Sequence, residues 1–345
     1  MCPEWHKKTS EVRMKVSLKN LILPSIPLAS LLILGFIGLW FSAYFGERFA
    51  APSTLTTAIA HNIESYILPN TLLANILSIG FTLLNGFLLT QINNRFTIIR
   101  TRTFLPLFTF MLLMASWNET HIANSSHLTL TLIIFALFFF FSMLRNRNAT
   151  EEAFMGSFLI SVSSLFINPF IFLIPICWIG FIVFQSFSLR TFLASIFGTL
   201  APWILFLAGK YLFIGSFDLS HIFSITPNLI FNFSTLSLPV LIYSGVFLFF
   251  IVVSIVGVFS LSNGDAIHTR NKLNFMIMLL VFLILLALIF RNQFALFLPL
   301  IALIFSLLFS HPFTLKHNNF YGILFIIFCV LNLAYIISKY FIIYK

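Results

Sequence analysis

Carboxylate and imidazole side chains recur in close pairs along this sequence. His61 and Glu64 stand three apart, Glu119 and His121 flank Thr120 with His127 close behind, and Asp218 and His221 again stand three apart. Glu47 adjoins Arg48. A carboxylate beside an imidazole can orient and charge the ring for general acid–base work, and the same groups can hold a divalent cation. Spacing of three puts both side chains on one face of a helix. The candidate catalytic set is therefore Glu47, His61, Glu64, Glu119, His121, Asp218 and His221. No spacing matches a metal-binding motif, so no cofactor is required and a divalent cation is the one ion these groups would take. The plain alternative is that short polar segments of an apolar chain contain Asp, Glu and His because these residues are soluble.

A second group is cationic. Arg95, Arg100, Arg102 and Arg145 fall in short basic segments, where guanidinium groups can grip lipid phosphate or an anionic lipid-linked substrate. Asn75 and Asn85, with Gly80 and Gly86, sit inside an apolar run. There they either line a substrate path or form hydrogen bonds between closely approaching helices. Ser157, Ser161 and Ser164 allow the same two readings. Gly198 and Pro202 suggest a kink, and the tryptophans Trp40, Trp117, Trp178 and Trp203 read as packing or interface residues.

The elements that must position these groups are membrane spans. The chain is 60% hydrophobic and 8% charged, with 47 Phe among 345 residues and a mean hydropathy of +1.05. Apolar runs near the roughly 20 residues needed to cross a bilayer recur throughout. They are continuous, unlike the alternating segments of a β-barrel. The fold class is all-α, a polytopic helical membrane protein of about 11 spans (10–12). The expected spans are 21–45, 71–92, 103–117, 128–144, 153–169, 171–188, 191–213, 239–262, 273–290, 294–310 and 320–341. Of these, 103–117 is short enough to be re-entrant or tilted, and Asn168-Pro169 breaks the fifth from the sixth. All nine carboxylates lie outside the long apolar runs, which disfavours carboxylate proton relays through the bilayer.

Charge sets the topology. With the N-terminus inside, 14 Lys and Arg fall inside and 5 outside, as the positive-inside rule requires. The net charge of +10 thus reads as topology, and nucleic acid is not an expected partner. Residues 1–20 form a basic cytoplasmic segment and 21–345 one transmembrane domain with outer loops 46–70 and 214–238. Leu55, Ile59, Ile63 and Ile67, spaced by four, predict an amphipathic helix over Thr54 to Tyr66 on the membrane surface. The run 21–45 is too long for a signal-peptide core and reads as an uncleaved first span. Cys2, Cys177 and Cys329 are far apart and indicate neither a disulfide framework nor a structural metal.

From Asn93-Asn94-Arg95-Phe96-Thr97 through Arg102-Thr103-Phe104-Leu105-Pro106, Glu152-Ala153-Phe154-Met155-Gly156 and Ser161 to Pro169, to Trp178 and Gly198-Thr199-Leu200-Ala201-Pro202, the chain resembles an uncharacterised family of polytopic inner-membrane proteins from Bacteroidetes. The resemblance covers about residues 70–215 and implies a multi-pass location in a bacterial inner membrane. The layout is also similar to GT-C type membrane glycosyltransferases, which place an acidic catalytic residue in an outer loop after the first span. Here that would be Glu47 or Glu64. The chain departs from the pattern in lacking an Asp in that loop and a large outer domain. This similarity implies handling of envelope glycan or lipid-linked sugar at the outer face, as a membrane glycosyltransferase or glycan polymerase. The alternatives are a transporter or flippase for a lipid or amphipathic solute, and a non-catalytic subunit of an envelope complex. The expected partners are membrane lipids, a lipid-linked anionic substrate and envelope proteins.

Overall fold

Apolar runs of this length form helices because a helix satisfies its own backbone donors and acceptors, and the computed structural model is helical throughout. It describes residues 30, 33–40, 58–67, 69–101, 103–214, 238–290, 294–315 and 319–342, and none of these is in a strand. Residues 33–40 are helical. They are followed by α1 (Ala58–Ile67), α2 (Thr71–Phe96), α3 (Leu105–Ser116), α4 (Ser125–Ser142), α5 (Thr150–Phe166) and α6 (Leu173–Val183). The chain continues through α7 (Leu189–Ile214), α8 (Leu238–Leu261), α9 (Ile267–Ile289), α10 (Phe294–Leu315) and α11 (Asn319–Ile342). Among the described residues seven helices, α2, α4 and α7–α11, are long and apolar enough to cross a membrane.

The bundle is built around α10. Every residue from Leu296 to Thr314 is buried, and α10 packs against α3, α8, α9 and α4. Phe305 and Phe309 meet Phe250 of α8 or Phe328 of α11 with ring centroids 4.6–6.3 Å apart. The buried hydroxyls of α10 turn back on their own helix: Ser306 donates to Leu303 O, Ser310 to Ser306 O and Thr314 to Ser310 O. They are satisfied locally and line no path.

Polarity is inverted in α2. Its inward face carries Asn75, Ser78, Thr82, Asn85 and Asn93, all buried, while Leu72, Ile76, Leu84 and Phe87 are exposed. A soluble protein does not leave such an apolar face in water. In lipid it is the expected order, since small and polar residues mediate helix contact and large apolar ones face the acyl chains. The seven long helices and this inversion fit a multi-pass membrane protein.

From residue 71 on, the expected spans coincide with helices to within six residues, while of 21–45 only 30 and 33–40 are described. Helix α6 ends at Val183, short of the expected 188, whereas α2 runs on to Phe96, α9 starts at Ile267 and α10 continues to Leu315. Polar residues such as Asn93, His268 and Thr314 close these helices, so hydropathy alone trims them. The stretch 103–117 forms α3, only 12 residues or about 18 Å at 1.5 Å per residue. Of the amphipathic segment, residues Ala58–Ile67 are helical. Glu64 there is buried and Tyr66 is exposed.

Gly198 has a packing role. Helix α7 runs through Pro202, and a Cβ on Gly198 would strike the Phe154 carbonyl of α5. The glycine is there to let α5 and α7 touch backbone to backbone. Gly198→Ala is expected to lower the thermal midpoint of the detergent-solubilised protein by the equivalent of roughly 1–3 kcal/mol. Gly209→Ala, where an added Cβ meets nothing within 4 Å, should leave the midpoint unchanged or slightly raised.

Candidate functional site

The short α3 has a structural consequence. The chain leaves it at Trp117, makes a 3₁₀ turn over Asn118–Thr120 and enters α4 at Ser125. This irregular segment is buried beside the first turns of α2, where non-helical backbone is tolerated only if the protein satisfies it. The inward face of α2 does so. Asn75 Nδ2 donates to His121 O at 3.2 Å, Ser78 Oγ to Thr120 O at 2.6 Å and Asn85 Nδ2 to His127 O at 3.3 Å. Thr131 of α4 donates to Asn85 Oδ1 at 2.8 Å.

The imidazoles belong to the same network. His121 is buried, with Nε2 3.2 Å from Ala115 O, and its ring packs 4.2 Å from that of Trp40. His127 has Nε2 3.0 Å from Thr120 O and 3.1 Å from Ser78 Oγ, and Nδ1 3.0 Å from Asn124 Oδ1. Ser78, His127 and Asn124 thus follow the nucleophile, base and orienting-residue order of a serine triad. However, Ser78 gives its proton to a backbone carbonyl, and Ser78 and His127 are fully buried. The arrangement holds the loop and presents no nucleophile.

Glu64 has a comparable role. Its Oε1 accepts from Ser125 N and Ser125 Oγ, both at 2.9 Å, while Asn124 caps the same helix by accepting from Ser126 N. A carboxylate at a helix N-terminus satisfies free N–H groups and faces the positive end of the helix dipole. Of the sequence-derived catalytic set, Glu64 and His121 are thereby brought into one region with Asn75 and Asn85. Glu119 lies half-buried in the 3₁₀ turn, and His121 turns to Ala115 instead of to it. Glu47, Asp218 and His221 lie outside the described residues, as does the side chain of His61.

At the opposite end of the bundle the basic residues gather. Thr97, in the left-handed region at φ 47°, ends α2 and turns the chain back, with Asn93 Oδ1 accepting from Ile99 N at 2.9 Å. Lys272 Nζ donates to Phe96 O at 2.8 Å, placing a cation at the helix C-terminus as the dipole favours. Arg95 lies over the ring of Phe138 at 4.3 Å, a cation–π contact. Arg145 Nη1 approaches His268 Nε2 at 3.5 Å. Arg102 lies outside the described residues.

Arg100 has the most specific partner. Its Nη2 is 2.7 Å from Asp265 Oδ1, and His311 Nε2 is 3.2 Å from Asp265 Oδ2. The Asp265 and His311 side chains have no solvent exposure, whereas that of Arg100 is 47% exposed. Neither Asp265 nor His311 was singled out from the sequence. Asp265 looked like any loop carboxylate. The available signal was His311 itself, an ionisable residue closing an apolar run, which in a membrane span marks function by default.

Between residues 33–40, α3 and α11 lies a cavity of about 340 Å³. Gly35, Phe36, Phe104, Leu107, Met111 and Leu333 are among its lining, which contains no acid, histidine or other charged group. Phe104 immediately precedes α3, on the loop that carries Arg100. Among the described residues no three His, Cys, Asp or Glu side chains are grouped to hold a metal ion. No protein-family model, curated protein or solved structure matches this chain.

The hydrogen bonds from α2 to the 117–131 segment are expected to act together. Asn85→Leu and Thr131→Val should each destabilise the protein by about 0.6–1.7 kcal/mol. A double-mutant cycle on thermal or denaturant unfolding should return a coupling energy clearly different from zero.

Proposed function

We propose that the protein is a multi-pass bacterial inner-membrane protein of about eleven spans, N-terminus inside, that binds the apolar part of an amphipathic lipid within the bundle. The cavity between residues 33–40, α3 and α11 carries this reading. Its volume lies in the ~300–1,000 Å³ range of ligand sites, and its lining offers nothing to a polar solute. An acyl or isoprenoid chain matches that lining. The loop that carries Arg100 also supplies Phe104 to the cavity, and a guanidinium there suits a lipid phosphate. This favours a lipid or lipid-linked carrier as substrate, and a transporter or flippase as the class of activity.

The second reading is glycan transfer or polymerisation at the outer face. What favours it is the gathering of Glu64, His121 and His127 around residues 117–127. Catalysis by Glu64 would require it to leave Ser125, and full function of Glu64→Gln would remove this reading.

Gly35 tests the first reading directly, since a Cβ there meets nothing within 4 Å. Gly35→Leu is expected to fill the cavity without lowering the thermal midpoint, and to reduce the phospholipid that stays bound through purification at least tenfold, by native mass spectrometry. Equal retention by the variant would contradict the reading, as would wild-type protein that carries no lipid.

A further inference from the structure

The Arg100–Asp265–His311 cluster joins three separate parts of the chain: the loop before α3, the loop before α9 and the last turns of α10. The two buried members cannot reach water. His311 Nε2 faces the carboxylate, and its Nδ1 is buried without a hydrogen bond. We propose that Asp265 and His311 form a proton-binding site whose occupancy releases Arg100, and with it the segment that leads to Phe104 at the wall of the apolar cavity. The connection to lipid rests on the reading of the cavity given above; the proton site itself does not.

The charge count gives the direction. With His311 neutral, Asp265 and Arg100 balance and the cluster carries no net charge. A proton on His311 leaves two cations on one carboxylate and a net charge of +1 in a buried place, which is costly. Only Arg100 is part-exposed, so it is the cation that can move into water at small cost. His311 then neutralises Asp265 alone. Arg100 belongs to the segment that turns back beneath α2 and leads through Thr103 to Phe104, the residue at the cavity wall. Lowering the pH therefore loosens that segment.

The remaining charged and titratable groups around α10 have other positions. Lys272 of α9 is bound to Phe96 O, and His268 of α9 approaches Arg145. Arg95 of α2 lies over Phe138, while Tyr321 of α11 packs edge-on against Phe313. His127 of α4, Tyr243 of α8 and Tyr335 of α11 belong to the opposite end of the bundle, with the 117–127 segment or Trp117. α3 carries no titratable side chain.

The test uses the full chain in nanodiscs with its native cysteines replaced by alanine and Thr103→Cys, a buried position of the same segment, as reporter. Maleimide labelling is measured against an exposed Asn148→Cys control between about pH 4 and 8, a window wide enough for a histidine displaced by its surroundings. The expected normalised rate rises at least threefold as the pH falls. His311→Gln should remain slow at every pH, and Asp265→Asn, which removes Arg100's partner, should be fast at every pH. A flat wild-type profile, or one that His311→Gln leaves unchanged, would overturn the proposal. Thermal midpoints identify a variant that has not folded, in which case His311→Asn replaces His311→Gln. Retention of a fluorescent anionic phospholipid is followed in the same samples. Failure of retention with an intact labelling profile would remove the lipid reading and leave the proton site standing.

Discussion

A polypeptide inside a bilayer has to satisfy its own backbone polar groups, and α3 is too short to do so by continuing as helix. At 12 residues it stops beside the first turns of α2, and the chain turns back there through buried, non-helical backbone into α4. The carbonyls of Thr120, His121 and His127 are consequently met by Ser78, Asn75 and Asn85 on α2. This one constraint accounts for the polar inward face of α2, for the burial of two histidines, and for the use of Glu64 as a helix cap. Side chains that look reactive in the sequence are largely committed to holding an irregular segment in place.

The two ends of the bundle solve different problems. Around residues 117–127 the polar groups are mostly neutral and bonded to backbone. At the other end the groups are ionic: Lys272 closes α2, Arg95 stacks on Phe138 and Arg100 meets Asp265. Removing Asp265 or His311 from water is expensive, and replacing such a buried set by apolar residues is often neutral or stabilising. A stability role alone is therefore weak grounds for Asp265 and His311. The cavity lies between helices and is lined almost entirely by apolar surface, which separates the place that can hold a hydrocarbon chain from both polar regions while leaving it next to the Arg100 loop.

The helices were legible in the sequence because an apolar run is a local signal. The spans expected at 239–262 and 320–341 are α8 and α11 almost residue for residue. Pairing across the chain was not legible. Glu64 meets Ser125, 61 residues on, and Asp265 meets His311, contacts fixed by how helices pack and not by spacing within one segment. Of the acid–histidine pairs counted along the chain, Glu119 and His121 are the one described on both sides, and there His121 turns to Ala115 O. Gly198 shows the same limit, since its close approach to the Phe154 carbonyl of α5 is not visible in its local sequence. Arg95, Arg100 and Arg145 gather at one end of the bundle, but their partners required the fold.

The central claim is that a specific amphipathic lipid occupies the space between residues 33–40, α3 and α11. Its most direct measurement is photocrosslinking in native membranes, with p-benzoylphenylalanine replacing Leu107, a cavity-wall residue, and Leu84, an exposed residue of α2, in turn. The account predicts that Leu107 captures a narrow set of lipids enriched in anionic or lipid-linked species, while Leu84 reports the bulk membrane. Identical lipid populations at the two positions, or no lipid captured at Leu107, would contradict it.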